Sequence, residues 1–180
     1  MNAIQTEYNG YKFRSRTEAR WAVFFAGLGI KYEYEKEGFK LNSGPYLPDF
    51  WLPKYQMWVE IKADYPSDQE KVLCDELAEV TNFTTLLIFG QPTPEGYGIY
   101  ISPNSDFPFS GEKYLFGQDR KVDKVLWILE ENQERGICLD PDKNDRSGDK
   151  YLLGQYASWI NAALEGASSA RFEHGEKPNV

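Results

Sequence analysis

The stretch YLPDFWLPKYQMWVEIKA, Tyr46 to Ala63, decides how the rest of the chain is read. Two short runs rich in aromatic and branched side chains flank Pro53-Lys54-Tyr55-Gln56, which reads as two strands joined by a tight connection. Inside them stand three charges that a core strand should not carry: Asp49, Glu60 and Lys62. Side chains alternate faces along a strand, so Glu60 and Lys62 point the same way. If the hairpin folds symmetrically about Lys54-Tyr55, Asp49 falls opposite Glu60. Directly opposed Cβ atoms lie about 4.5–5.5 Å apart, where two like charges repel. A pair of carboxylates kept at that distance, with a lysine beside one, points to a held divalent cation.

Upstream, Ser15-Arg16-Thr17-Glu18 precedes an apolar run and has the form of a capping box, with Ser15 as N-cap and Glu18 at the third helical position. The helix should continue through Phe25 and stop near Gly27-Leu28-Gly29. Glu18 shares the stripe of Ala22 and Phe25, so it is either a helix cap or a carboxylate aimed at the hairpin, or each in turn. Tyr32 to Leu41 alternates as one strand, and Gly44-Pro45 should turn the chain into the hairpin. Downstream, Ser67-Asp68-Gln69-Glu70 is a second capping-box sequence, opening a helix with Val72, Leu73, Leu77 and Val80 as its apolar positions. Thr84 to Gly90 is almost wholly apolar, as a strand buried on both faces would be. The order helix, three strands, helix, strand predicts an α/β or α+β fold, a mixed central sheet flanked by helices.

Beyond Gln91-Pro92 the reading is coarser: a strand over Tyr97 to Ser102, an irregular aromatic segment over Phe107 to Phe116, and helices over Val122 to Gln133 and Lys150 to Leu164. The tail from Gly166 is small and polar and is expected to fray. We divide the chain into a core, 1–92, and a C-terminal, mostly helical extension, 93–180, packed on it.

The 180 residues are 41% hydrophobic and 16% aromatic, enough for a real core. No run approaches the roughly 18 apolar residues of a membrane span, and the N-terminus has no signal-peptide pattern, so a cytoplasmic protein with no membrane partner is the expectation. Cys74 and Cys138 read as two reduced, largely buried thiols. Asp140 to Asp145 starts like a calcium loop, but Asp145 and Tyr151 stand where an EF-hand needs Gly and Glu. His174, the one histidine, lies in the tail, which excludes histidine-based triads and zinc sites.

Net charge is −8, against broad nonspecific nucleic-acid binding, yet it is unevenly spread. Through Ala63 there are nine Lys/Arg and seven Asp/Glu; beyond it, eleven and twenty-one. Lys12, Arg14, Arg16 and Arg20 cluster in nine residues, either as phosphate contacts or as a solvated basic face. The acidic second half would repel DNA unless it faces away or docks a basic protein partner.

Taken together, Glu18, Pro48-Asp49 and Glu60-Ile61-Lys62 resemble the PD-(D/E)XK nuclease superfamily, over about residues 10–92. The resemblance implies a restriction-endonuclease-like core and a metal-dependent DNA endonuclease of repair, recombination, restriction, phage or mobile-element type. Its nearest likeness is to junction-resolving and transposon-end-cleaving members. It further implies Mg²⁺, with Mn²⁺ able to substitute, held by Asp49, Glu60, the Ile61 carbonyl and, directly or through water, Glu18. Lys62 would orient the attacking water or neutralise charge at phosphorus. Many enzymes of this type cut both strands as dimers, so a homodimer is one implied arrangement, although no dimerisation element stands out. Other readings of the same core are an exonuclease, an RNA-directed nuclease, and an adaptor that binds nucleic acid or protein without cutting.

Overall fold

The computed structural model describes residues 6–93, 97–102 and 162–172. In chain order the elements are β1 (Thr6–Tyr8), β2 (Tyr11–Phe13), α1 (Arg16–Gly27), β3 (Glu33–Tyr34), β4 (Phe39–Leu41), β5 (Gly44–Tyr46), β6 (Phe50–Leu52), β7 (Met57–Lys62), α2 (Asp68–Thr81), β8 (Thr84–Phe89) and β9 (Gly98–Ile101), with a further helix, α3, over 162–169. A five-stranded mixed sheet, ordered β3-β6-β7-β8-β9, forms the centre. β7 and β8 run parallel through the α2 crossover, and the other neighbours are antiparallel. The fold is α+β, as expected.

The hairpin register is the expected one. Phe50 pairs with Val59, Trp51 with Trp58 and Leu52 with Met57. Alternation then divides the strands between two cores. Phe50, Leu52, Met57, Val59 and Ile61 join the buried face of α1, including Trp21, Ala22, Phe24 and Phe25. Trp51 and Trp58 turn the other way, onto Leu77 of α2 and Leu41. β8 is buried on both faces and sits between β7 and β9.

Both helices begin as expected, at Ser15 and Ser67, each accepting a bond from the third helical N–H. Around α2 the reciprocal half of the box is present, Ser67 N–H donating to Glu70. Ahead of α1, Glu18 instead accepts from Arg14 N–H.

Four expectations are corrected. Tyr32 to Leu41 is not one strand: Glu35 adopts a left-handed φ of 46°, which breaks the run into β3, in the main sheet, and β4. Gly44-Pro45 is not a turn but part of β5, which pairs with β4 in a separate two-stranded sheet. On α2, Val72 and Val80 face solvent, and the buried positions are Cys74, Leu77 and Ala78. The chain from Gly166 is not frayed throughout: Ala167 and Ala170 are buried with Ala163 and Leu164 in the α1-side core, and Phe172 packs against it. One element went unforeseen, the β1–β2 hairpin. Its Asn9-Gly10 connection has φ of 49° and 82°, the pattern of a type I′ turn, for which Asn-Gly is the usual sequence signal.

The strand expected over Tyr97 to Ser102 is β9, so the sheet extends past residue 92. Cys74 is buried. Cys138, the Asp140 to Asp145 loop, the segments expected over 107–116 and 122–133, and His174 lie outside the described residues. Among the described residues no helix is long and apolar enough to cross a membrane.

Candidate metal centre

The misplaced charges gather where β6 begins and β7 ends, with the first turns of α1 and α2 on either side. Asp49, Glu60 and Glu18 are only 3%, 6% and 8% exposed. Carrying the register one pair beyond Phe50 and Val59 sets Asp49 across from Glu60. Burial, then the nearby Glu60 and Glu18 carboxylates, push the Asp49 carboxyl well above its usual range. Glu60 is also raised, by burial, with Lys62 pulling it back. Buried carboxylates in this condition need either a proton or a cation.

Main-chain geometry supplies a third oxygen. Ile61 N–H donates to Asp49 Oδ2 at 2.7 Å, while the Lys62 carbonyl accepts from Gly90 N–H on the β8 side at 2.9 Å. Main-chain groups alternate sides along a strand, so the Ile61 carbonyl faces the β6 side, toward Asp49. The residue that the register sets opposite Ile61 is Pro48, which has no N–H to donate. The Ile61 carbonyl therefore receives no ladder bond from there.

Lys62 donates to Glu60 Oε1 at 2.9 Å and to Glu70 Oε1 at 3.1 Å, tying the site to the first turn of α2. Burial opposes its charge, but attraction from Glu60 and Glu70 outweighs this and its pKa rises. It is held as a cation between the two carboxylates. The other oxygen, Glu60 Oε2, is buried with no hydrogen-bond partner. Near it lies the buried Tyr46 hydroxyl, also unpartnered, whose pKa is pushed upward by burial and then by Glu60.

Glu18 belongs to the site but is turned inward. Its Oε1 accepts from Ser15 Oγ at 2.6 Å, and its Oε2 from the Tyr34 hydroxyl at 2.6 Å and Arg14 N–H at 3.2 Å. It is held in the first turn of α1 beside the Ser15 cap and lies within electrostatic range of Asp49 at once. Among the described residues no three Asp, Glu, His or Cys side chains already converge as a cation cage. The donors on offer are two carboxylate side chains and a main-chain carbonyl, with Glu18 held nearby by Ser15 and Tyr34. Such an oxygen-only, incomplete set suits Mg²⁺, which keeps several of its waters. The orphaned Glu60 Oε2 is the oxygen that a cation would satisfy.

The four basic candidates are held in different ways. Lys12 pairs with Glu7 at 3.3 Å and is well exposed; Arg16 begins α1, exposed. Arg20 is drawn to Gln91, donating to its Oε1 at 3.1 Å, while Gln91 Nε2 donates to Thr17 Oγ1 at 2.7 Å. Arg14 reaches into the site, pairing with Glu35 and approaching Asp49 Oδ1 at 3.5 Å. Sequence reasoning missed Tyr34, Glu35, Tyr46, Glu70 and Gln91 as neighbours of the site. Only Glu70 carried a signal, its place in the second capping box. No family model, curated protein or solved structure matches the chain.

Proposed function

We propose that this chain is a Mg²⁺-dependent nuclease of the PD-(D/E)XK type, hydrolysing phosphodiester bonds of DNA. The observation that carries the reading is the buried opposition of Asp49 and Glu60, with Lys62 on Glu60 and the Ile61 carbonyl released by Pro48. Asp49, Glu60 and the Ile61 carbonyl would hold the ion, and Glu18 would join once released from Ser15 and Tyr34. When bound, Mg²⁺ or Mn²⁺ stabilises charge on the scissile phosphate and makes an attacking water more acidic. Lys62, held charged between Glu60 and Glu70, orients that water or offsets charge developing at phosphorus. The reaction needs no covalent intermediate. Lys12 and Arg16 are the exposed contacts for the phosphate backbone, and Arg14 and Arg20 approach it from the site's rim. Partners of this reading are DNA, a second copy of the chain for two-strand cleavage, and a basic protein for the acidic half beyond Ala63.

A second reading, an adaptor that keeps this fold without the chemistry, draws on the missing ready-made cage among the described residues. One assay separates the two. The protein is incubated with supercoiled, linear, single-stranded and four-way-junction DNA, with Mg²⁺, Mn²⁺ or EDTA. Metal-dependent cleavage that Asp49→Ala abolishes is the expected result. No cleavage of any substrate overturns the autonomous enzyme, and cleavage that survives Asp49→Ala overturns the site. An RNA substrate and end-blocked DNA in parallel distinguish RNA-directed and exonucleolytic action.

A further inference from the structure

Each of the two carboxylates that would grip the ion already has a cation of its own, and the two cations are held very differently. Lys62 sits 2.9 Å from Glu60 and is tied by Glu70 on its other side, its side chain 29% exposed. Arg14 stands 3.5 Å from Asp49, with its side chain 58% exposed. The root of Arg14 is fixed, because its main-chain N–H donates to Glu18 Oε2 and to the Tyr34 hydroxyl, both at 3.2 Å. Its head is anchored on Glu35 and reaches Asp49 only through one long contact, beside a carboxylate that is 4% exposed.

We infer that Arg14 is a stand-in cation: it partially neutralises Asp49 while the site lacks a metal, and a divalent ion displaces it toward the substrate phosphate. The inference rests on the metal-site reading above and adds a residue that couples ion binding to nucleic-acid binding. A divalent ion at Asp49 repels the guanidinium across the same few ångströms over which the carboxylate attracted it. Glu35 remains as the tether that keeps the released head at the rim. A planar guanidinium released from Asp49 is well suited to a phosphate. Lys62, 2.9 Å from Glu60 and half as exposed as Arg14, is held too closely for this part.

The test compares the wild type with Arg14→Ala and Arg14→Gln, the second keeping a polar side chain of similar length. Thermal melts in EDTA establish that each variant is folded. Titration with Mn²⁺ and Ca²⁺ by calorimetry, without DNA, then reads ion affinity directly. Removing the competing charge should tighten ion binding about two- to fivefold in both variants. Binding to a DNA duplex is then measured against salt. With Ca²⁺ present the variants should bind more weakly, with a salt slope shallower by about one phosphate contact. In EDTA, where Asp49 detains Arg14, variants and wild type should bind alike. Equal or weaker ion affinity in the variants, against clear heat from the wild type, overturns the inference alone. No heat from the wild type overturns the metal site and this inference with it.

Discussion

Asp49 and Glu60 share an end of a hairpin where neither is easily ionised without a counter-ion. The consequence for stability follows from the direction of their pKa shifts. Burial first, then mutual repulsion, raises Asp49 in the folded protein, and burial raises Glu60. The folded state then binds more protons than the unfolded one, so stability falls as pH rises from the ordinary carboxylate range, about 4, through the raised folded values. Asp49→Asn removes that cost and keeps an oxygen for Ile61 N–H. In EDTA near neutral pH it should stabilise the protein by on the order of 1 kcal/mol and flatten the fall in Tm with pH, while abolishing stabilisation by Mg²⁺. A destabilised Asp49→Asn protein in EDTA would contradict the raised pKa. Lys62→Ala should act the opposite way, leaving Glu60 buried without its cation. A loss of about 1–2 kcal/mol is expected in urea melts, discounted for the partial exposure of Lys62, and cleavage should fall about 10²-fold or more. The sequence exposed these residues because charge inside an apolar strand needs an explanation. It could not expose Arg14 above Asp49, since that contact joins positions 35 apart and depends on a side chain that reads equally well as solvated.

The elements that were legible are those whose signals are local. Ser15 and Ser67 set their helix starts through a side-chain oxygen three residues from its donor, and the Pro53 to Gln56 connection fixed the register of β6 on β7. What was not legible hung on single backbone conformations. Glu35, with φ of 46°, ends β3 where alternation alone would continue it, and nothing in YEYEKEGFKL marks that residue rather than its neighbours. The faces of α2 failed for another reason. Val72 and Val80, about 2.2 turns apart, extend the apparent stripe of Leu73 and Leu77 to either side, but the sheet contacts the line through Cys74, Leu77 and Ala78. A similar dependence on one partner appears at the β8–β9 edge, where Phe89 pairs with Gly98. A Cβ added at Gly98 would lie 2.0 Å from the Phe89 ring, so the ring covers the glycine and also stacks edgewise on Tyr65 at 5.1 Å. Gly98→Ala must expel that ring, at a cost of about 1–3 kcal/mol. The cost should largely vanish in a Phe89→Ala background, which a double-mutant cycle of melting curves will show. Additive losses would mean that the glycine is needed for its backbone and not for the ring.

At the scale of the whole molecule, the α1-side core is closed by residues from the far end of the chain. α1 and the strands supply most of it, but Ala163, Leu164, Ala167 and Ala170 are buried in the same cluster, and Phe172 meets Tyr8 edge to face at 6.4 Å. The end of the sequence looked like a tail because its buried face is alanine, and small residues leave little hydrophobic signal to read. Small side chains suit a helix lying close against a surface already filled by large aromatics. Leu164, 3% exposed, is the one large aliphatic anchor of the segment, so it carries the test of whether this closure contributes to stability. Leu164→Ala should cost about 2–5 kcal/mol through lost burial and the cavity left behind, a large share of the roughly 5–15 kcal/mol that holds a domain folded. Guanidinium unfolding reads it as a lower midpoint with an unchanged slope. Because Leu164 is not among the residues of the carboxylate site, Mg²⁺ affinity of the folded variant should stay at the wild-type value. A loss below about 0.5 kcal/mol, the range of an ordinary surface substitution, would show that 162–172 does not close the core in solution. A loss of ion affinity alongside stability would show instead that the closure is felt at Asp49 through α1.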